Sequence, residues 1–420
     1  MNLTATLSVA LALIAFGLVS KKLEGSIVTG PMLFSVFGFV AGPALLGLVP
    51  VHVSNESVHL LAEVTLILVL FSDAANIDLA QLRRDHNLPV RMLGIGMPLT
   101  IVLGAAAALF LFDDLSFWEA ALLAAILVPT DAALGQAVVS NRLVPVRIRQ
   151  ALNVESGLND GIALPFVLVF AAFASAMHGD TNAGEWVMFA GKQVILGPIA
   201  GIAIGYAGAR LAAVCYRTQW MSETAEGMIA LGIAFGAFAF AETIHGNGFI
   251  AAFVAGLTFG NTLQHKCKFL YEFAESEGQI LVLLTFAAFG AAMLPQALSS
   301  VTLVYVVFAI ASLTLVRMLP VHLSLIGTGV KPVTSIFLGW FGPRGLASVL
   351  FVLLILDEAE FKNETTIFSV VIFTVAVSVL LHGITAGPAA RRYGKLSQSM
   401  GECEENMPVG EEPFSGPPKS

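Results

Sequence analysis

Apolar stretches of about 20 residues recur almost from end to end of this chain, and no other feature constrains its fold as strongly. Each stretch is long enough to cross the hydrocarbon core of a bilayer as a helix, and the connections between stretches are short. Only 12% of the residues are charged, whereas soluble domains carry about 25%. We therefore predict an all-α polytopic membrane protein with no room for a soluble domain.

The hydropathy pattern predicts thirteen spans, at approximately 3–20, 26–49, 58–77, 88–112, 117–139, 147–177, 186–214, 222–244, 247–263, 276–294, 299–327, 333–356 and 364–389. Basic loop residues set the orientation. One side has only Lys192 and Lys362. The other side collects sixteen basic residues: Lys21, Lys22, Arg83, Arg84, Arg91, Arg142, Arg147, Arg149, Arg210, Arg217, Lys266, Lys268, Lys331, Arg391, Arg392 and Lys395. This bias predicts an external N-terminus and a cytoplasmic C-terminus.

Four polar residues lie inside the apolar sixth span: Glu155, Ser156, Asn159 and Asp160. Two i, i+4 pairs, Glu155 with Asn159 and Ser156 with Asp160, are neighbours on the helix surface. Lipid offers no partner for such groups, and ionisable residues at membrane depth are costly enough to indicate function. This polar cluster is the first candidate site.

Two spans contain helix breakers next to a charge. Pro129, Thr130 and Asp131 lie in the middle of span five, and Gly342, Pro343, Arg344 and Gly345 lie at similar depth in span twelve. Proline removes a backbone donor, so both helices are expected to break there. The two spans run in opposite directions, which is the pattern of an inverted repeat of spans four to six against eleven to thirteen, and paired interrupted helices indicate a transporter's binding site.

The charge at each break matches the partial charges of the helix ends that it would meet. Asp131 would balance half-helix N-termini, and Arg344 would balance half-helix C-termini. The alternative is that both prolines only kink continuous helices, with the charges paired structurally. Arg344 is too central to reach water, whereas Arg317, late in span eleven, has the further option of extending to the interface. Asp73, near the end of span three, is either a site residue or a solvated end residue.

A buried carboxylate is difficult to ionise, because desolvation favours its neutral form. Either a proton or a bound cation can neutralise it, so a site with one occupant exchanges the two by competition. Ser156, Asp160 and a freed carbonyl at Thr130 would supply the hard oxygen ligands that Na⁺ or K⁺ needs. Water held by Asp73 or Asp131 would complete the shell.

At these residues the chain resembles monovalent cation/proton antiporters of the NhaP type, which are related to eukaryotic sodium/proton exchangers. The resemblance covers nearly all of the membrane region and rests on the combination of motifs: Thr130-Asp131, Glu155-Ser156 with Asn159-Asp160, the Arg317 segment, and Gly342-Pro343-Arg344-Gly345. It implies a homodimer of thirteen-helix protomers in the inner cell membrane, each with two discontinuous crossing helices. Residues 1–395 would be the antiporter domain, with core helices at approximately 88–177 and 299–389 and dimerisation helices in the remainder.

The resemblance also implies a role for each site residue. Asp160, Ser156 and the Thr130 backbone would bind the cation, and Asp131 and Asp73 would act through water; many relatives have Glu in place of Asp73. Glu155 would pair structurally with Arg317, and Asn159 stands where electrogenic relatives have a second aspartate. Exchange of one Na⁺, Li⁺ or K⁺ for one H⁺, without net charge movement, is then expected. No cofactor is implied beyond these transported ions.

Three further hypotheses remain at this point: a K⁺/H⁺ antiporter of the same fold, an intramembrane aspartyl protease using Asp131 and Asp160, and a channel or anion carrier. The protease family has Gly-x-Gly immediately before its aspartate, whereas this chain has Gly157-Leu158-Asn159 before Asp160. The acid-rich site argues against anions, and nothing resembles a selectivity filter. Residues 396–420 are rich in Gly, Pro and Glu and are predicted to form a disordered cytoplasmic tail.

Overall fold

The computed structural model of the protein describes residues 3–23, 26–51, 56–84, 87–177, 183–222, 225–263, 277–401 and 403–406. These residues form sixteen helices: α1 (Leu3–Leu23), α2 (Gly30–Ala41), α3 (Glu56–Ala75), α4 (Leu79–Arg84), α5 (Asn87–Leu111), α6 (Phe117–Ile126), α7 (Ala132–Val139), α8 (Val146–Ala176), α9 (Ala183–Arg217), α10 (Ala225–Thr243), α11 (Gly248–Thr262), α12 (Gly278–Ser299), α13 (Leu303–Ser324), α14 (Pro332–Trp340), α15 (Leu346–Glu358) and α16 (Glu364–Gln398). α5 and α12 each contain a π-helical turn, at Met92–Gly96 and Phe289–Met293.

The helices agree with the span prediction. Within the described residues, each predicted span overlaps one helix, or in spans five and twelve a pair of helices. Nine helices among these residues are long and apolar enough to cross a membrane, and four shorter apolar segments accompany them. The all-helical membrane architecture is therefore confirmed, and the number of thirteen crossings stays a prediction.

Both expected helix breaks are present, and local chemistry explains where they fall. α6 ends at Ile126 and α7 begins at Ala132, so the segment around Pro129 is not helical. α14 ends at Trp340 and α15 begins at Leu346, with Pro343 between them. A proline disfavours helical geometry in the residue before it and lacks an amide donor, so neither helix continues through its proline. Continuous kinked helices are excluded.

Two sets of helices pack around the breaks. α5 to α8 pack against one another and against α13 to α16, whereas α2, α3 and α9 to α12 pack mainly among themselves. α3 and α8 are among the helices that join the two sets. Glycines allow close approach at one such contact in the second set: a Cβ on Gly256 of α11 would collide with the Phe71 carbonyl of α3. The predicted core, 88–177 and 299–389, contains the helices of the first set, and its role as a domain separate from a dimerisation domain stays a prediction.

The end of the chain differs from the prediction of a tail disordered from residue 396. α16 continues to Gln398, and Glu404–Asn406 form a 3-10 turn. The buried Glu405 carboxylate accepts hydrogen bonds from the Lys331 amide (2.7 Å) and the Thr334 hydroxyl (2.7 Å), where α14 begins. Free amides at a helix N-terminus attract a carboxylate, which accounts for the order of this segment. Residues 407–420 lie outside the described residues.

Candidate functional site

The two breaks meet, and Asp131 joins them. The Asp131 amide donates to the Pro343 carbonyl at 2.8 Å. Its carboxylate accepts from the Leu346 amide (2.8 Å) and from the Leu134 amide (3.3 Å). These amides belong to the first turns of α15 and α7, so the carboxylate lies at two half-helix N-termini, as the charge argument predicted. A Cβ on Gly345 would collide with this carboxylate, so the contact requires glycine there.

Arg344 makes the reciprocal contact. Its guanidinium Nη1 donates to the Val128 carbonyl at 2.7 Å and lies 3.4 Å from the Pro129 carbonyl. Both carbonyls follow the end of α6 and have no helical partner, because the helix stops there. Arg344 is 1% exposed, so the expected buried partner is the partial negative charge of this helix end. Each broken helix therefore receives its compensating charge from the other.

The polar cluster of α8 faces the break at Thr130. The Ser156 hydroxyl donates to the Thr130 carbonyl, and the Asn159 side-chain amide donates to the Thr130 hydroxyl, both at 2.5 Å. Ser156, Asn159 and Thr130 are all buried. The structure thus brings together the residues that the sequence placed 26 to 29 positions apart.

Asp160 lies one helical turn beyond Ser156 and is buried. Among the described residues, its Oδ1 atom has no hydrogen-bond partner. It interacts electrostatically with Asp73 and Asp131, and both of these residues are acidic. Both Asp131 oxygens accept backbone hydrogen bonds, whereas Asp160 Oδ1 accepts none from the described residues.

Glu155 points to a different partner. Its Oε1 atom lies 2.5 Å from Arg317 Nη2, with side-chain exposures of 3% and 2%. The ion pair implied by the resemblance is therefore present, and Arg317 does not extend to the membrane interface. Gly342 of the second break is in contact with the same guanidinium, since a Cβ there would collide with it. The pair therefore supports the break rather than the polar cluster.

Asp73 is partly exposed on α3. Its carbonyl lies 3.7 Å from where a Cβ on Gly157 would be, so α3 packs closely against α8 beside the site. Asp73 also interacts with Asp131 and Asp160 electrostatically. It thus lies beside the cluster, and its contact with an ion through water stays a prediction.

Two residues that the sequence analysis did not single out contact the second break. Ser378 and His382 lie one turn apart on α16 and are buried. The Ser378 hydroxyl accepts from the Arg344 amide at 2.7 Å, and His382 Nε2 lies 2.9 Å from the Trp340 carbonyl. A signal was available, because His382 is a titratable residue inside a long apolar stretch, with a serine one turn before it.

Comparison with known proteins relates the chain to one family. A family model described as the transmembrane sodium/hydrogen exchanger matches residues 7–392. The K(+)/H(+) antiporter NhaP of Alkalimonas amylolytica is 25% identical over 380 residues, which cover 89% of this chain and 63% of the relative. The Na(+)/H(+) antiporter NhaP of Pseudomonas aeruginosa is 27% identical over 77% of this chain and 78% of its own length. The chain spans about three fifths of the K(+)/H(+) antiporter relatives that it matches.

Solved structures show the same fold. The sodium proton antiporter MjNhaP1 from Methanocaldococcus jannaschii at pH 8 superposes with a TM-score of 0.73 at 19% identity, over 91% of this chain and 98% of its own. An electron-microscopy structure of that antiporter gives a TM-score of 0.77 at 20% identity, over 96% and 100%. Similarity at this identity supports the architecture and leaves the ion open.

Proposed function

The chain belongs to the transmembrane sodium/hydrogen exchanger family, and from that premise we propose that it exchanges a monovalent cation for H⁺ across the membrane. The cation is Na⁺ or Li⁺, with K⁺ as the alternative. The protein is then a secondary transporter and not an enzyme. Bonding of both Asp131 oxygens to backbone amides also argues against a protease that would use Asp131 and Asp160 as a catalytic pair.

The observation that carries this proposal is that the Asp160 carboxylate is buried, lies beside other acidic residues and has an oxygen without a hydrogen bond. A buried carboxylate beside two other acidic residues gains most from neutralisation, and a proton and a cation both provide it. Its Oδ1 atom is free to accept one or the other. Because the same oxygen serves both ligands, binding of the cation requires loss of the proton, and this competition couples the two fluxes.

The neighbouring oxygens suit a hard cation. Thr130 presents a carbonyl freed by the helix break, and the Ser156 hydroxyl lies within hydrogen-bond distance of it. Na⁺ and K⁺ prefer oxygen ligands of this kind, and water held by Asp131 or Asp73 completes the shell. Ser156 would turn its hydrogen away from the cation and so continue to donate to a carbonyl.

The charges support a one-for-one, electroneutral cycle. Glu155 is neutralised by Arg317, and Asn159 carries no charge. Asp160 is then the group in the α8 cluster that changes its charge state, so one H⁺ replaces one monovalent cation. A cycle that moved one net charge would instead gain or lose about 2.3 kcal/mol per 100 mV of membrane potential.

Access to the site is proposed to alternate by movement of the core helices, α5 to α8 and α13 to α16, against a dimerisation domain formed by the remaining helices. A homodimer in the inner cell membrane fits this arrangement. The N-terminus lies outside and the C-terminus in the cytoplasm, on the basis of the sixteen-to-two distribution of basic residues.

The K⁺/H⁺ alternative also has support, because relatives named for K⁺ and for Na⁺ both match this chain at 23–27% identity. Ion choice depends on cavity dimensions that differ by fractions of an ångström between these cations. One assay therefore tests both the activity and the ion.

The test is exchange by the purified protein in liposomes with an imposed pH gradient and an interior pH dye. Adding Na⁺, Li⁺ or K⁺ in separate experiments should collapse the gradient for the transported ion. Asp160→Asn should abolish this, whereas Asp113→Asn, an exposed aspartate in the turn before α6, should exchange as the wild type does. Full exchange by a folded Asp160→Asn protein would overturn the mechanism. A strong effect of clamping the potential with K⁺ and valinomycin would overturn electroneutrality.

A further inference from the structure

One face of α16 contacts both ends of the second helix break. Ser378, His382 and Thr385 follow one another at i, i+4 and i+7, so their side chains share a face. His382 meets the Trp340 carbonyl at the end of α14, and the Thr385 hydroxyl accepts from the Trp340 indole N–H at 3.0 Å. Ser378 accepts from the Arg344 amide on the far side of the break. The gap between α14 and α15 is thereby bridged from outside the broken helix.

Both ring nitrogens of His382 contact backbone carbonyls. Nε2 lies 2.9 Å from the Trp340 carbonyl, and Nδ1 lies 3.0 Å from the Ser378 carbonyl. Nδ1 is also 3.1 Å from the Ser378 Oγ atom, which accepts from the Arg344 amide. Polar contacts therefore lead without interruption from Trp340 through His382 and Ser378 to Arg344.

The same contacts continue from Arg344 towards the cation site. Arg344 is fixed at its amide by Ser378, and its guanidinium in turn binds the Val128 carbonyl, two residues before Thr130. A shift of the Arg344 backbone is therefore transmitted to the first break, whose Thr130 carbonyl meets Ser156. His382 touches neither Thr130 nor Asp160 in these contacts, so its effect on them is indirect.

We propose that His382, acting through Ser378 and Arg344, is a positioning residue that sets the geometry of the Thr130 carbonyl and thereby the affinity for the transported cation. This inference rests on the function proposed above, since it takes the Thr130 carbonyl to be a cation ligand. A residue that only stabilised the fold would alter the amount of folded protein and the maximal rate. A positioning residue alters the apparent KM for the cation in the protein that does fold.

The experiment compares His382→Leu, His382→Gln and Ser378→Ala in the liposome exchange assay, with the apparent KM for Na⁺ (or for K⁺, if that is the transported ion) and the maximal rate measured separately. Glutamine offers a donor and an acceptor in place of the two ring nitrogens, and leucine offers neither. His322→Leu is the matched control, because His322 bonds Ser335 on α14 and contacts neither end of the break. Thermal unfolding in detergent establishes that each variant is folded.

We expect His382→Leu and Ser378→Ala to raise the apparent KM by roughly fivefold, the factor that one lost hydrogen bond implies, and His382→Gln to stay within about twofold of the wild type. An unchanged KM in folded His382→Leu, or equal defects in the leucine and glutamine variants, would overturn the positioning role. If His382→Leu does not fold, the test rests on Ser378→Ala. An unchanged apparent KM for the cation in that variant would also overturn the positioning role. Absence of exchange by the wild type would instead remove the proposed function, and this inference with it.

Discussion

The buried pair of Glu155 and Arg317 permits a quantitative test of how the charges around the second break support one another. At 2.5 Å and an effective dielectric constant of about 20, their attraction is roughly 7 kcal/mol. Desolvation of two ions at 2–3% exposure offsets most of this, so the net contribution of the pair is small. Removing one partner is different, because it leaves an uncompensated buried charge that costs about 3–5 kcal/mol.

The structure also predicts which single change is worse. Arg317→Met leaves Glu155 near Arg344, with which it also interacts, so part of the charge remains balanced. Glu155→Leu leaves Arg317 and Arg344 repelling each other with no carboxylate between them. We expect a loss of about 3 kcal/mol for Arg317→Met and about 5 kcal/mol for Glu155→Leu. The double variant should be within about 2 kcal/mol of the wild type, because no unpaired charge of the pair remains.

The quantity measured is the free energy of unfolding in detergent. It is obtained by denaturant titration of the wild type, both single variants and the double variant. Arg147→Met is the matched control, since Arg147 forms an ion pair with Glu404 at side-chain exposures of 10% and 34%. Removal of Arg147 leaves a Glu404 carboxylate that is 34% exposed and therefore stays solvated, so the control should lose no more than about 1 kcal/mol. A double variant as unstable as the sum of its single variants would refute the reasoning.

Three other predictions concern separate parts of the molecule. Gly345→Ala should destabilise the protein by about 1–3 kcal/mol and reduce exchange, because the added Cβ displaces the Asp131 carboxylate; Gly236→Ala, with open space around it, is the control in both measurements. Burial favours the protonated form of Glu405, but the hydrogen bonds from the Lys331 amide and Thr334 hydroxyl outweigh it and hold the pKa of this carboxyl below its ordinary 4.5. The contribution of Glu405 to stability should therefore be complete above about pH 4.5 and disappear as the pH falls below that value. The difference in unfolding midpoint between the wild type and Glu405→Gln should then become smaller in acid. A difference that stays constant with pH would contradict this. Competition at Asp160 predicts that the apparent KM for Na⁺ rises as the pH falls while the maximal rate at saturating Na⁺ is preserved; a fall in the maximal rate alone would exclude simple competition.

The parts of the fold that could be predicted are those with local causes. Span positions follow from hydropathy, and the breaks follow from Pro129 and Pro343, because proline acts on its own neighbours. The helix ends that Asp131 and Arg344 meet were also predictable, since a buried charge must find the opposite partial charge. These inferences needed no knowledge of distant contacts.

The contacts that could not be predicted from the sequence involve partners far apart along the chain. Ser378 and His382 bind backbone groups 34 and 42 residues away, which become available only because α14 ends at Trp340. Composition correctly described the tail as polar, but Glu405 is ordered because the first turn of α14 happens to be within its reach. The ion pair of Glu155 was expected from resemblance alone, because its partner Arg317 lies on a helix whose position the sequence does not specify.

Asp131 and Arg344 each bond to the broken helix on which they do not lie, and this has a consequence for the synthesis of the protein. The Val128 carbonyl is separated from Arg344 by 216 residues, so it leaves the ribosome long before its partner exists. At 5–20 residues per second, the interval is about 10–40 s. During that time the Val128 carbonyl lacks Arg344 and the Asp131 carboxylate lacks the Leu346 amide, and hydrocarbon does not tolerate such polar groups without partners. Water, the translocation machinery or a neighbouring helix must solvate this segment until α14 and α15 arrive, and the first half of the repeat reaches its final structure only when the second half is synthesised.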